Sequence, residues 1–217
     1  MKKMLISLLS KWLTKLLYKQ DVNHDTLDTP QKTLDFLTQQ NIKFQKSAFN
    51  DGNISPIIMN QTVENGQSPY AVVLTCSDSR VVPEHIFMAG IGELFTIINA
   101  GNVVDNVVLG SVEYGIEHLG AKVVIVLGHT HCGAVSAAIN HAGHGNIATI
   151  TESICSCLHN EEDPANAEIL NVENSLKEIA KSEIVSKLIE EEKVILIGAI
   201  YNTETGEIDF MDEKQYV

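Results

Sequence analysis

The sequence predicts an α/β fold: a mostly parallel central sheet with an antiparallel edge strand, flanked by helices. Three observations carry this. Short apolar runs rich in β-branched residues recur at 71–75, 94–98, 123–127 and 194–198, and continuous runs of this kind suit parallel strands covered on both faces. Helical stretches lie between them at 107–119, 134–142 and 167–190, the alternation of an α/β sandwich. Last, Asn202-Thr203-Glu204-Thr205-Gly206 marks a turn into a final strand at 207–211, placed antiparallel at the edge.

The elements before the sheet follow from spacing. Leu5, Leu8, Leu9, Trp12, Leu13, Leu16 and Leu17 recur at helical intervals, with lysines on the remaining face. The N-terminus opens like a secretory signal, but Lys11, Lys15 and Lys19 break the apolar run and no small-residue cleavage site follows. The segment is also too short and too charged to span a bilayer. It reads as a basic amphipathic helix that packs on a partner subunit, with a membrane surface as the alternative. Residues 20–30, ending in Thr29-Pro30, read as a polar linker. Residues 31–47 are helical, with Leu34, Phe36, Leu37, Ile42 and Phe44 apolar, and Asp51-Gly52-Asn53 ends them. The division is a basic N-terminal extension and linker at 1–28 and a single α/β domain at 29–217. The expected location is the cytoplasm; peripheral membrane attachment and periplasmic export stay open as alternatives.

Charge narrows the function. The chain of 217 residues carries a net −13, yet its first twenty residues hold five lysines and no acid. The body is therefore strongly acidic, which argues against binding nucleic acid through its phosphates. The four cysteines make no disulfide framework in a chain this long and point to metal or catalytic use. Cys155 and Cys157 read as small helical residues, with a redox or accessory metal role as the weaker alternative.

The chemistry gathers at two places. Cys76-Ser77-Asp78-Ser79-Arg80 directly follows the first core strand and contains the only arginine of the chain. Gly128-His129-Thr130-His131-Cys132-Gly133 follows the third. Both lie at carboxyl ends of predicted parallel strands, where α/β sheets form ligand crevices at the reversal of strand order. Cys132 also opens a helix, whose N-terminus favours a thiolate. Cys76, His129 and Cys132 are a tetrahedral zinc ligand set with one position left open, the mark of a catalytic rather than a structural site. Asp78 could close that position, or be held off it by a bidentate pair with Arg80.

With these residues in view, the chain resembles the β-class carbonic anhydrases. The likeness rests on 76–81 and 128–134 and extends to Gly66-Gln67-Ser68-Pro69, Pro83-Glu84-His85-Ile86-Phe87, Asn99-Ala100-Gly101-Asn102 and Tyr201–Gly206. It covers the chain from about residue 30 to the end. The resemblance implies Zn2+ on Cys76, His129 and Cys132, with Asp78 as a further ligand only in a closed state, and Asp78 and Arg80 as the catalytic dyad. It implies a homodimer or homotetramer whose N-terminal helices embrace the partner, and a channel at the interface lined by Gln67, Phe95, Ala100 and Tyr114. The family commonly has an arginine where Ile98 stands, which removes one support of a regulatory bicarbonate site. The implied reaction is reversible hydration of carbon dioxide to bicarbonate and a proton (carbonate dehydratase, a zinc lyase). Two thiolates offset the charge of the cation, so activity is expected to rise toward alkaline pH. His85 and His131 could relay the proton, though solvated or structural roles suit each better. Two alternatives share the ligand set: hydrolysis of carbon disulfide or carbonyl sulfide, and a non-enzymatic zinc-stabilised or redox-sensing oligomer.

Overall fold

In a computed structural model of the chain, residues 26–47 and 49–212 are described. The expected basic helix at 1–19 and most of the linker lie outside the described residues. The first helix, α1 (Pro30–Phe44), begins at Thr29, whose hydroxyl accepts the Lys32 N–H, with Pro30 in the first turn where its missing N–H costs nothing. Ser55 before Pro56 starts α2 (Pro56–Asn65) by the same device. There follow β1 (Ala71–Cys76), the single turn α3 (Pro83–Ile86) and β2 (Leu94–Asn99). A 3-10 turn at Ala100–Asn102 leads to α4 (Asn106–Glu113), which runs into a π turn at Tyr114–His118. Then come β3 (Val123–His129), α5 (Gly133–Ile139), α6 (Ile147–Leu158), α7 (Pro164–Ala180) and α8 (Glu183–Glu190). β4 (Ile195–Tyr201) and β5 (Ile208–Phe210) close the described chain.

The strands form one sheet in the order β2-β1-β3-β4-β5. β2, β1, β3 and β4 are mutually parallel and β5 is antiparallel to β4, as the sequence predicts. From β1 the chain steps outward to β2, then returns past β1 to β3. Strand order therefore reverses between β1 and β3, and that is where an open α/β sheet leaves a crevice beyond its carboxyl ends.

β1 and β3 are buried along their whole length. Their alternate side chains serve two cores, as a strand period of two requires. Val73, Ile125 and Leu127 pack against Leu34, Leu37 and Phe87 of the α1 and α3 side. Val72, Leu74, Val124 and Val126 pack against Val112, Ile116, Val172 and Leu176 of the α4 and α7 side. Leu37 is fully buried, which stabilises the fold by about 1.5–3 kcal/mol relative to an exposed leucine. β2 departs from the expectation of a strand covered on both faces. It stands at the sheet edge, mostly half-buried, with Ile98 exposed at 51%.

Several elements differ from the sequence reading. The stretch 167–190 is two helices, not one. Asp163 caps α7 ahead of Pro164, and Ser182 interrupts the run by accepting the Val185 N–H and starting α8. The stretch 107–119 is α-helical only as far as Glu113, then widens into the π turn. α2 went unassigned in the sequence because none of its residues is buried, so it lacks the apolar stripe that reveals a helix; its Ser55-Pro56 start was the available signal. No helix among the described residues is long and apolar enough to cross a membrane.

Candidate metal centre

β1 and β3 run side by side with Thr75 opposite Leu127. That register brings Cys76, the last residue of β1, and His129, the last of β3, to the same end of the sheet. Cys132 follows at the N-cap of α5, reached through His131 in a left-handed turn at φ 60°. Each of the three side chains is buried, and each offers a ligand atom within 4.8 Å of the others.

The histidine shows which nitrogen is available. Its Nδ1–H donates to the Thr130 carbonyl at 3.0 Å. Nε2 is then the lone-pair nitrogen, and it is buried with no hydrogen-bond partner among the described residues. A buried ring nitrogen oriented by a backbone carbonyl through its other nitrogen, beside two thiol sulfurs, is the arrangement of a metal-ligating imidazole. The sulfurs agree. The Cys132 thiol, and the Gly101 N–H that donates to Sγ at 3.3 Å, draw the Cys76 thiol down to about 4 against the effect of burial. Sharing a proton with Cys76, and burial, push Cys132 up. Two buried sulfurs beside a buried imidazole form a site that a divalent cation would complete. This donor set fits Zn2+, which favours cysteine and histidine in tetrahedral geometry.

Asp78 stands beside this cluster and is held by Arg80. The Arg80 Nε–H donates to Oδ1 at 2.9 Å and Nη2–H to Oδ2 at 2.8 Å. The Arg80 backbone N–H adds a third bond to Oδ1 at 3.0 Å. The guanidinium thereby holds the Asp78 carboxyl well below the usual carboxylate range. Arg80 is itself anchored, since Nη2 also donates to the His131 carbonyl at 3.0 Å. The arginine thus ties the loop after β1 to the loop after β3. Of the two arrangements open to Asp78 in the sequence, the structure has the one in which both carboxylate oxygens lie on Arg80.

The other expected pocket residues are only partly gathered. Phe95 and Tyr114 are neighbours, with ring centroids 6.1 Å apart and planes tilted by 41°. Tyr114 is nonetheless 47% exposed. Ala100 opens the 3-10 turn whose next residue, Gly101, reaches Cys76. Gln67 lies exposed between α2 and β1 and makes no hydrogen bond to the cluster among the described residues. His85 is exposed on α3. The His131 ring is exposed too, with Nε2 3.4 Å from Glu204. Cys155 and Cys157 are half-buried on α6, as their reading as helical residues expects.

The structure also reveals residues around the site that the sequence did not single out. Glu168 of α7 is buried, and its Oε1 accepts the Cys132 N–H at 2.9 Å. Asn171 Nδ2 donates to the Gly101 carbonyl at 2.8 Å, and Ser175 Oγ to the Asn102 carbonyl at 2.9 Å. No sequence signal separates these from the other polar residues of a long helix. Gly101 is required where it stands: its φ is 76°, and a Cβ would come within 2.9 Å of Ile154 and 3.1 Å of Ala134.

Comparison with known proteins places this arrangement. The family model described as "Carbonic anhydrase" matches residues 71–208, a span that holds every ligand candidate. Carbonic anhydrase 2 of Mycobacterium tuberculosis (strain H37Rv) is 46% identical over 82 residues, which are 38% of this chain and 40% of that protein. The chain thus matches less than half the length of that relative. The carbonic anhydrase of Pseudomonas aeruginosa is 34% identical over 164 residues, covering 67% of this chain and 74% of its own. Among solved structures, the β-carbonic anhydrase CafA of Aspergillus fumigatus superposes with a TM-score of 0.67 at 26% identity, covering 73% of this chain and 83% of that one. The agreement extends over the sheet as well as the two loops that bear the ligands, and the chain belongs to the β-carbonic anhydrase family.

Proposed function

We propose that the protein catalyses the zinc-dependent, reversible hydration of carbon dioxide to bicarbonate and a proton. The observation that carries this reading is the buried Cys76–His129–Cys132 donor set, with its orphaned Nε2, standing next to an Asp78 fixed by Arg80. A purely structural metal site has no use for an oriented carboxylate beside it, so the dyad favours an enzyme over a zinc-stabilised oligomer. Zinc held by Cys76, His129 and Cys132 supplies the positive charge that acidifies water near neutral pH.

The chain's own residues do the rest. Asp78 stays ionised across the neutral range, because Arg80 holds its carboxyl far down. It can therefore accept a hydrogen bond from the nucleophile and aim it, while Arg80 fixes the carboxylate plane through two parallel bonds. Carbon dioxide is small and uncharged, so the Phe95 ring and Ala100 suit it as a wall. Gln67 and Tyr114 stand at the surface of the single chain, which supports a homodimer or homotetramer whose second copy completes the channel. The exposed Ile98 and Val107 on β2 and α4 support the same reading.

The test is stopped-flow carbon dioxide hydration from pH 6.5 to 9, with metal content measured on the same sample. One zinc per chain and rates that climb toward alkaline pH are expected. Asp78 cannot cause that climb, since a group with a depressed pKa is already ionised at the acidic end of the range. A flat profile, or zinc without turnover at any pH, would overturn the reading.

A further inference from the structure

α7 carries a polar stripe along a face that is otherwise core. Glu168, Asn171 and Ser175 fall at i, i+3 and i+7, on one side of the helix. They are 5%, 2% and 1% exposed. Ala167, Val172, Leu176 and Ile179 beside them are completely buried. Three polar side chains set into an apolar face are costly unless each is paired. Each is paired, and all three partners are backbone groups of two loops beside the candidate metal centre, one that carries Cys132 and one that reaches Cys76 through Gly101.

The pairings divide between the loops. Glu168 accepts the N–H of Cys132 at 2.9 Å, on the loop after β3. Asn171 donates to the carbonyl of Gly101 at 2.8 Å, and Ser175 to that of Asn102 at 2.9 Å, on the loop after β2. The Gly101 peptide in turn donates its N–H to Cys76 Sγ at 3.3 Å. One rigid helix of 17 residues thus grips Cys132 directly and reaches Cys76 through Gly101. Gly101 and Asn102 both have positive φ, 76° and 46°. Such a turn keeps its shape only when its surroundings hold it.

We propose that α7 is the positioning helix of the metal centre, and that Glu168, Asn171 and Ser175 are positioning residues which set the spacing of the two sulfurs and the hydrogen bond to Cys76. This rests on the zinc reading above. Groups that orient metal ligands typically change metal affinity about 10- to 100-fold when removed. A role confined to filling the core would lower stability and leave the metal untouched.

The experiment uses full-length protein carrying Asn171→Leu, Ser175→Ala or Glu168→Gln. Asn171→Leu keeps the volume and removes the donor. Ser175→Ala removes a single hydroxyl and guards against a failure to fold. Glu168→Gln keeps an acceptor for the Cys132 N–H and removes the charge. Zinc affinity is read by chelator competition, and the thiolate-to-metal charge-transfer absorption is read after cobalt substitution. Thermal unfolding of the metal-free proteins runs in parallel. Asn171→Leu is expected to weaken zinc about 10- to 100-fold and to shift the cobalt–thiolate absorption. Ser175→Ala is expected to do the same to a smaller degree. Native zinc affinity and a native cobalt spectrum in both, with only the unfolding temperature lowered, would overturn the proposal. Native affinity is expected in Glu168→Gln, which keeps the acceptor for the Cys132 N–H, and a loss there as large as that of Asn171→Leu would overturn the hydrogen-bond role given to Glu168. A wild-type protein that takes up no zinc would overturn the metal reading itself, an outcome distinct from metal-binding variants that match the wild type.

Discussion

Asp78→Ala is expected to reduce carbon dioxide hydration by about 10²- to 10⁴-fold, the range usual for loss of a positioned acid–base group, while zinc stays at one per chain. The reason is geometric. Asp78 stands beside the cluster with both oxygens on Arg80, so its removal subtracts the oriented acceptor and no ligand of the open site. Asp78→Asn sharpens the test, because the amide keeps one acceptor for Arg80 and loses the charge. Stopped-flow rates and metal analysis on the same samples decide it. Near-native turnover in Asp78→Ala would remove the dyad from the mechanism. Loss of zinc together with turnover would make Asp78 a ligand rather than a partner of Arg80.

His129→Ala and Cys76→Ser are expected to abolish both zinc binding and turnover. Among the described residues three protein donors meet in the cluster, and a catalytic zinc site commonly has three, so the loss of any one leaves too few. The same variants give a readout free of activity. A ligand that binds only the folded state stabilises it by about 2.7 kcal/mol when free at about 100 times its dissociation constant. Added zinc is therefore expected to raise the unfolding temperature of the wild type and to leave that of His129→Ala unmoved. A zinc-dependent rise in His129→Ala equal to that of the wild type would place the metal elsewhere.

The two predictions concern residues that were legible in the sequence, and the reason they were legible is physical. Buried parallel strands must be apolar throughout, so 71–75 and 123–127 announced β1 and β3 without help from any contact. Their last residues had to fall at one end of the sheet, and the chemically distinctive Cys76 and His129 stood there. The local spacing from Asp78 to Arg80 likewise placed the carboxylate within reach of the guanidinium. What stayed hidden depends on tertiary contact. Glu168 looks in sequence like any glutamate of an acidic helix, and only the packing of α7 under two loops turns it inward. Ser182 sits in a run of good helix formers, and its role as a cap shows only once its hydroxyl is seen to accept the Val185 N–H and donate to Glu113. α2 buries nothing, so no apolar rhythm marked it. Gln67 was read from resemblance alone, and in the single chain it faces outward.

Arg80 has a practical consequence. It is the only guanidinium in a chain otherwise supplied with lysines, and it is 51% exposed at the mouth of the centre. Dicarbonyl reagents that favour arginine over lysine therefore have a single address in this molecule. Whatever mass they add reports on one side chain, and that side chain is the one holding Asp78. The centre carries its own chemical label, with no tag or engineered cysteine needed.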